Sequence, residues 1–300
     1  MNRIPLLSRR LAVIALAGIG LVAFGVPAIH GADPFVAGGR STRTVELPLS
    51  QSERAVSHGR SLAAALGLPG VSQRAERFDD RFEHRTYDEV TSFDAAGHEV
   101  AIARFGTDGS VAMALVLGWH PGGRGSPIAR SAVEARGLGF VRAAGLDVRG
   151  QATVHASAGA GGWSIAWPRL VDGTPVRGDG TRVSIWADGS FHGLSRVERP
   201  LAAAPAHPIA AGAARKLAET WATGRFAGAA ADLRVGTVER AWVAANDTFA
   251  PTGLDAPAET LRLAWVVRFE AVGALNARLR LVETWFDATD GTLLGGDVVE

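Results

Sequence analysis

The sequence predicts an α+β fold built from tandem units, each one helix packed on a small antiparallel sheet. Three observations carry this expectation. The first is Asp-Gly-Ser/Thr, which occurs as Asp108-Gly109-Ser110, Asp188-Gly189-Ser190 and Asp290-Gly291-Thr292. Each copy follows an alternating run (Val100–Phe105, Arg182–Trp186, Arg280–Phe286) and precedes an apolar residue (Val111, Phe191, Leu293). Gly accepts positive φ without a steric penalty and Asp tolerates it, so Asp-Gly between such runs is a tight-turn signal. The second is a helix-like segment, Pro127–Ala132, which recurs 81 positions later as Pro208–Ala213. Phe140 then matches Trp221, and the first two Asp-Gly turns lie 80 positions apart. The third is an earlier copy that begins at Pro48-Leu49-Ser50. Its end, Ala65-Leu66-Gly67-Leu68, parallels Ala143-Ala144-Gly145-Leu146, with Gly where a helix C-cap needs a left-handed residue.

Taken in order, Arg3, Arg9 and Arg10 precede an apolar run from Leu11 to Ile29, the pattern of an export signal or N-terminal anchor over residues 1–32. Val26-Pro27-Ala28 permits cleavage after Ala28, and a cut near Ala32 also fits. If the run is retained, its 19 residues just cross a bilayer. Residues 33–44 read as a linker. Unit one spans 45–120, with a helix near Ser50–Leu66 and a sheet from His84 to Trp119. Its stretch Gln73–Arg85 is dense in both charge signs and reads as a solvated edge.

Pro121–Gly125 is a Gly-rich linker, and unit two spans 126–201. In it Asp172-Gly173 and Asp179-Gly180 read as turns, with Arg177-Gly178-Asp179 at a hairpin apex. A second linker covers Ala202–Pro208, and unit three spans 207–300. There Ile209, Ala213, Leu217 and Trp221 step by four and are expected on one helix face. A strand near Ala241, a polar loop from Asn246 to Glu259 and a terminal hairpin follow.

Composition narrows the chemistry. The 300 residues are 47% hydrophobic and 20% charged, the balance of a globular chain. With no cysteine there is no disulfide, thiolate metal site or cysteine nucleophile. Loss of the N-terminal segment takes three Arg from 31 basic side chains against 30 acidic ones, and no basic stripe marks a nucleic-acid partner.

No His pair stands at i, i+4, and there is no His-Glu-x-x-His, Gly-x-Ser-x-Gly elbow or P-loop, so no metal, cofactor or catalytic residue is expected. A calcium loop starting at Asp287 fails because Val298 holds the position of the required twelfth-residue acid. The tryptophans Trp163, Trp167, Trp186, Trp265 and Trp285 fall in strand-like runs.

The C-terminal pattern resembles the PepSY family, whose hallmark is W-x-V followed by V-D-A-x-T-G-x-V. The match is Trp265-Val266-Val267 with Phe286-Asp287-Ala288-Thr289-Asp290-Gly291, where Thr289-Asp290 stands in place of a variable residue and Thr. Trp167–Val176 and Val183–Gly189 are similar to the related propeptide modules of thermolysin-like proteases. The resemblance implies an extracytoplasmic, non-catalytic module that inhibits or chaperones a secreted peptidase in trans. Trp265, Trp285, Asp287, Asp290 and Gly291 are the candidate partner-binding residues. The alternatives are a membrane-tethered envelope scaffold or sensor, with Leu11–Ile29 retained, and a hydrolase assembled from distant residues.

Overall fold

The stripe that turns toward the sheet in the third helix is alanine. In the computed structural model, α3 (Ala211–Phe226) buries Ala214, Ala218 and Ala222. These are displaced by one residue from the four-step series read in the sequence, and Ile209 precedes the helix. Small side chains let the helix axis approach the sheet, while Leu217 and Trp221 reach down its flank. α1 (Leu49–Leu66) buries Ala55, Gly59, Leu62 and Leu66 and ends on Gly67 at φ 70°. α2 (Arg130–Ala143) buries Val133, Gly137, Phe140 and Val141.

The structure describes residues 44–300 except 81–84, 119–124, 158–160, 227–231, 247, 250–259, 274–278, 280 and 300. The export segment, nearly all of the first linker and most of the 121–125 linker and the 246–259 loop lie outside the described residues.

Among the described residues, thirteen strands accompany these helices. They are β1 (Thr44–Glu46), β2 (Ser72–Asp80), β3 (Arg85–Phe93), β4 (Glu99–Phe105), β5 (Val111–Val116), β6 (Thr153–Ser157) and β7 (Gly162–Val171). β8 (Thr174–Trp186), β9 (Phe191–Val197), β10 (Leu233–Val243), β11 (Arg262–Ala271), β12 (Leu281–Asp287) and β13 (Leu293–Val299) complete the set. Their hydrogen-bonded order is β1-β2-β3-β4-β5-β9-β8-β10-β11-β12-β13, with β7 on β8 and β6 on β7.

This overturns the expected tandem units of one helix on a small sheet: the strands join in one large mixed sheet, with only three helices among the described residues. The physical reason is the pairing of strands distant in sequence. β5 accepts β9, with Ala114 opposite Leu194, and β10 meets β8 in parallel at Trp242 and Val176. The hairpins therefore do not close into separate sheets.

The chain forms two compact units. Of the described residues, one holds those up to Trp167 together with Gly180–Val197; the other holds Pro168–Asp179 and those from Glu198 onward. The polypeptide thus passes from one unit to the other three times. In the first unit α1 and α2 pack on the sheet through Leu62, Leu66, Val133 and Phe140, against Val90, Phe105, Ile165, Val183 and Leu194. In the second, α3 packs through Ala218 and Ala222 against Val267, Phe269, Val282 and Phe286. Trp221 adds ring contacts to Phe226, Phe249 and Phe269.

The turns keep close to expectation. Asp172 and Gly173 have φ of 49° and 76°, as a two-residue turn with both central residues at positive φ requires. Asp179-Gly180 and Arg177-Gly178-Asp179 do not form a turn or apex. They lie inside β8, where the side chain of Asp179 is fully buried by charge pairing described below.

Candidate functional site

The first two Asp-Gly-Ser/Thr turns share one construction, and the third is one residue wider. Gly109 N–H donates to the Gly106 carbonyl at 2.8 Å, Gly189 N–H to that of Trp186 at 2.9 Å, and Gly291 N–H to that of Asp287 at 2.9 Å. Each aspartate accepts the backbone N–H two residues on: Ser110 to Asp108, Ser190 to Asp188 and Thr292 to Asp290, all at 2.9 Å. These bonds favour the ionised carboxylate. Asp108 is held below its ordinary pKa, first by the Ser110 hydroxyl, and Asp290 likewise, first by the Thr292 amide.

Each turn also meets a helix or the residues leading into it. A Cβ on Gly189 would sit 3.0 Å from Ile128 Cδ1, and one on Gly291 would sit 2.6 Å from Leu217 Cδ1. Matching bonds run from Ile128 N–H to the Ala187 carbonyl and from Ile209 N–H to the Ala288 carbonyl, both 2.8 Å.

This geometry places the sequence-named residues. Trp265 is half-buried, and its Nε1–H donates to the Ile209 carbonyl at 2.9 Å. Trp285 is buried in the next strand in a different apolar cluster, so the two indoles do not form one patch. Asp287 is buried; it accepts Thr289 N–H at 2.7 Å and lies 2.6 Å from the Arg262 guanidinium. Asp290 is exposed at the turn, and Gly291 takes φ 79°. Trp265 and Gly291 touch Ile209 and Leu217 at the entry and flank of α3, whereas Trp285 packs with Ala241, Val243, Ala264, Val266 and Leu294.

Sequence reasoning missed two buried charge clusters in the second unit. Asp179 Oδ1 accepts Arg199 Nε–H at 2.7 Å, and its Oδ2 accepts Arg169 Nη1–H at 3.1 Å and the Arg199 amide at 2.7 Å. Glu283, with no exposed side-chain surface, accepts Arg177 Nη1–H at 2.5 Å and Arg268 Nε–H at 2.8 Å. Asp297 stands opposite Glu283 in the β12–β13 register. Burial raises the Asp297 carboxyl above its ordinary pKa, Glu283 adds to the rise, and Arg177 opposes it. No local motif announces either cluster, because the partners lie ten to 106 positions apart.

The free strand edges are a further candidate. β1, β6 and β13 each pair with a single strand among the described residues. β13 is closed by Asn246, whose N–H donates to the Leu294 carbonyl at 2.9 Å. Its side-chain oxygen accepts Gly296 N–H at 3.0 Å, and its Nδ2 donates to the Gly296 carbonyl at 2.9 Å. β1 is three residues long. β6 is five, and beside it runs a groove of about 580 Å³ lined by Arg130, Ser131, Glu134, Ala152 and Val154.

No protein-family model and no curated protein matches the chain. Among solved structures it is similar to the Bacillus megaterium YpeB C-terminal domain, at 11% identity and a TM-score of 0.45, over 85% of this chain and 99% of that one. A likeness at that level assigns no role to any residue. No helix among the described residues is long and apolar enough to cross a membrane.

Proposed function

We propose that this is an exported, non-catalytic, PepSY-like protein that binds a partner protein and inhibits or chaperones a secreted peptidase in trans. The observation supporting the reading is the use made of the motif residues. The indole of Trp265 and the backbone of Ala288 both bond to Ile209, so the W-V-V strand, the D-A-T-D-G turn and the helix entry form one knot. With these groups committed to internal bonds, recognition of a partner in this reading falls to exposed surface. The tethered scaffold is the second reading, favoured by the 19-residue apolar run Leu11–Ile29. N-terminal sequencing of the protein isolated from its producing cells separates the two: a start between Ile29 and Asp33 removes the tether.

The main reading is tested by adding the isolated protein to the secreted peptidases of the same cells. Casein cleavage and peptidase survival after heating are then measured. Slower cleavage or longer survival at near-stoichiometric protein is expected. Unchanged cleavage and survival, with no peptidase retained on the immobilised protein, would end the reading.

A further inference from the structure

We infer that the outer edge of β6 and the groove against α2 form a docking surface for an extended peptide segment of a partner protein. The segment carries an acidic and a basic side chain two residues apart. This deepens the binding reading above and rests on it.

In an antiparallel strand both polar groups of a residue point the same way, toward the partner strand or away from it. Arg130 Nη2–H donates to the Val154 carbonyl at 3.3 Å, so this carbonyl is within reach of a donor outside the β6–β7 pair. Ala156, two residues on, faces the same way as Val154. These residues present a short row of donors and acceptors, the template to which an extended peptide adds as a further strand. The 3.3 Å bond from Arg130 is long for a charged donor, so an incoming amide can replace it.

Charge decides the occupant. Arg130 is exposed and makes no ion pair among the described residues; it also lies 5.9 Å from the Trp163 ring. Glu134, also exposed, lines the same groove one helical turn further. Four helical residues rise about 6 Å, and two strand residues advance about 6.6 Å. A peptide running along the groove therefore places side chains i and i+2 opposite Arg130 and Glu134. Complementarity requires an acid at the first and a base at the second. Chain direction then settles which of two charge orders fits. The other strand ends are less suited: Asn246 occupies the edge of β13, and β1 offers three residues.

The test uses two synthetic peptides, acetyl-Thr-Glu-Val-Lys-Thr-amide and acetyl-Thr-Lys-Val-Glu-Thr-amide. They are titrated to millimolar concentration into the isotope-labelled protein and followed by amide NMR. Shifts concentrated on Val154–Ser157 and Arg130–Glu134 are expected, with one peptide binding about three- to fivefold tighter, the size of one or two surface ion pairs. The double variant R130E/E134R, altered only at exposed positions, should invert that preference. Ala156→Pro, which removes one outward N–H from an edge strand, should weaken both peptides. Shifts absent from β6, or a preference unmoved by the charge exchange, would overturn the assignment. In the peptidase assay, A156P separates the two claims. Full activity of A156P leaves the binding reading standing and removes this surface, whereas inactivity of the unaltered protein removes the reading itself.

Discussion

Replacing Glu283 by Gln should cost the second unit about 3 kcal/mol. The side chain has no exposed surface, and two guanidinium groups converge on it: Arg177 Nη1 at 2.5 Å, and Arg268 Nε at 2.8 Å with Nη2 at 2.6 Å. Removing one partner of a buried ion pair costs about 3–5 kcal/mol, because the remaining charge is left uncompensated. Arg177 and Arg268 keep 17% and 31% of their side-chain surface exposed, and Arg177 retains Glu239 at 3.3 Å, so water and that contact offset part of the loss. The lower end of the range follows. Urea unfolding followed by tryptophan fluorescence measures it. With a slope of about 2 kcal/mol per molar, the midpoint should fall by about 1.5 M. Arg268→Met should cost less in the Glu283→Gln background than in the unaltered protein. A loss under about 1 kcal/mol, or strict additivity of the two substitutions, would refute the claim that this carboxylate joins β8, β11 and β12.

Three further outcomes follow from the same geometry. Asp297 has a raised folded-state pKa, so it binds its proton more tightly folded than unfolded. Stability therefore falls as pH rises from the ordinary value of 3.8 through the folded value, and Asp297→Asn should be the more stable protein at pH 7 and lose that advantage near pH 4 in paired urea melts. Gly291→Ala should destabilise by about 2 kcal/mol, combining φ 79° with a Cβ 2.6 Å from Leu217; Gly97→Ala, at φ 85° with nothing within 4 Å, should cost about 1 kcal/mol in the same assay. Asn246→Ala should cost about 1–2 kcal/mol and uncover β13, seen as faster exchange at the Gly296 amide and concentration-dependent light scattering.

What could be read from the sequence was local. The helix expected at Ser50–Leu66 is found at Leu49–Leu66, and the Asp-Gly-Ser/Thr turns and the C-cap at Gly67 appear as anticipated, because neighbouring residues determine them. Strand partnership was not legible. Nothing in Val111–Val116 announces that it will pair with Phe191–Val197 rather than end a small sheet. Arg177-Gly178-Asp179 shows the same limit. Its turn-forming composition was overridden by Arg169 and Arg199, which hold Asp179 within a strand. The β6 groove left no trace, since its polar pattern is that of an ordinary exposed segment and only the fold reveals which edges lack a neighbour. Tryptophan in strand-like runs was evident, but the differing environments of Trp265 and Trp285 depend on what covers each side of the sheet.

The threefold passage of the chain between its units has a genetic consequence. Pro168–Asp179 belongs to one unit yet is flanked in sequence by the other. A single break after Val197 leaves the first unit whole, with Pro168–Asp179 as an extra segment, and leaves the second unit without that segment. Recombination at that break would therefore deliver a second unit lacking the stretch that carries Arg177 and Asp179.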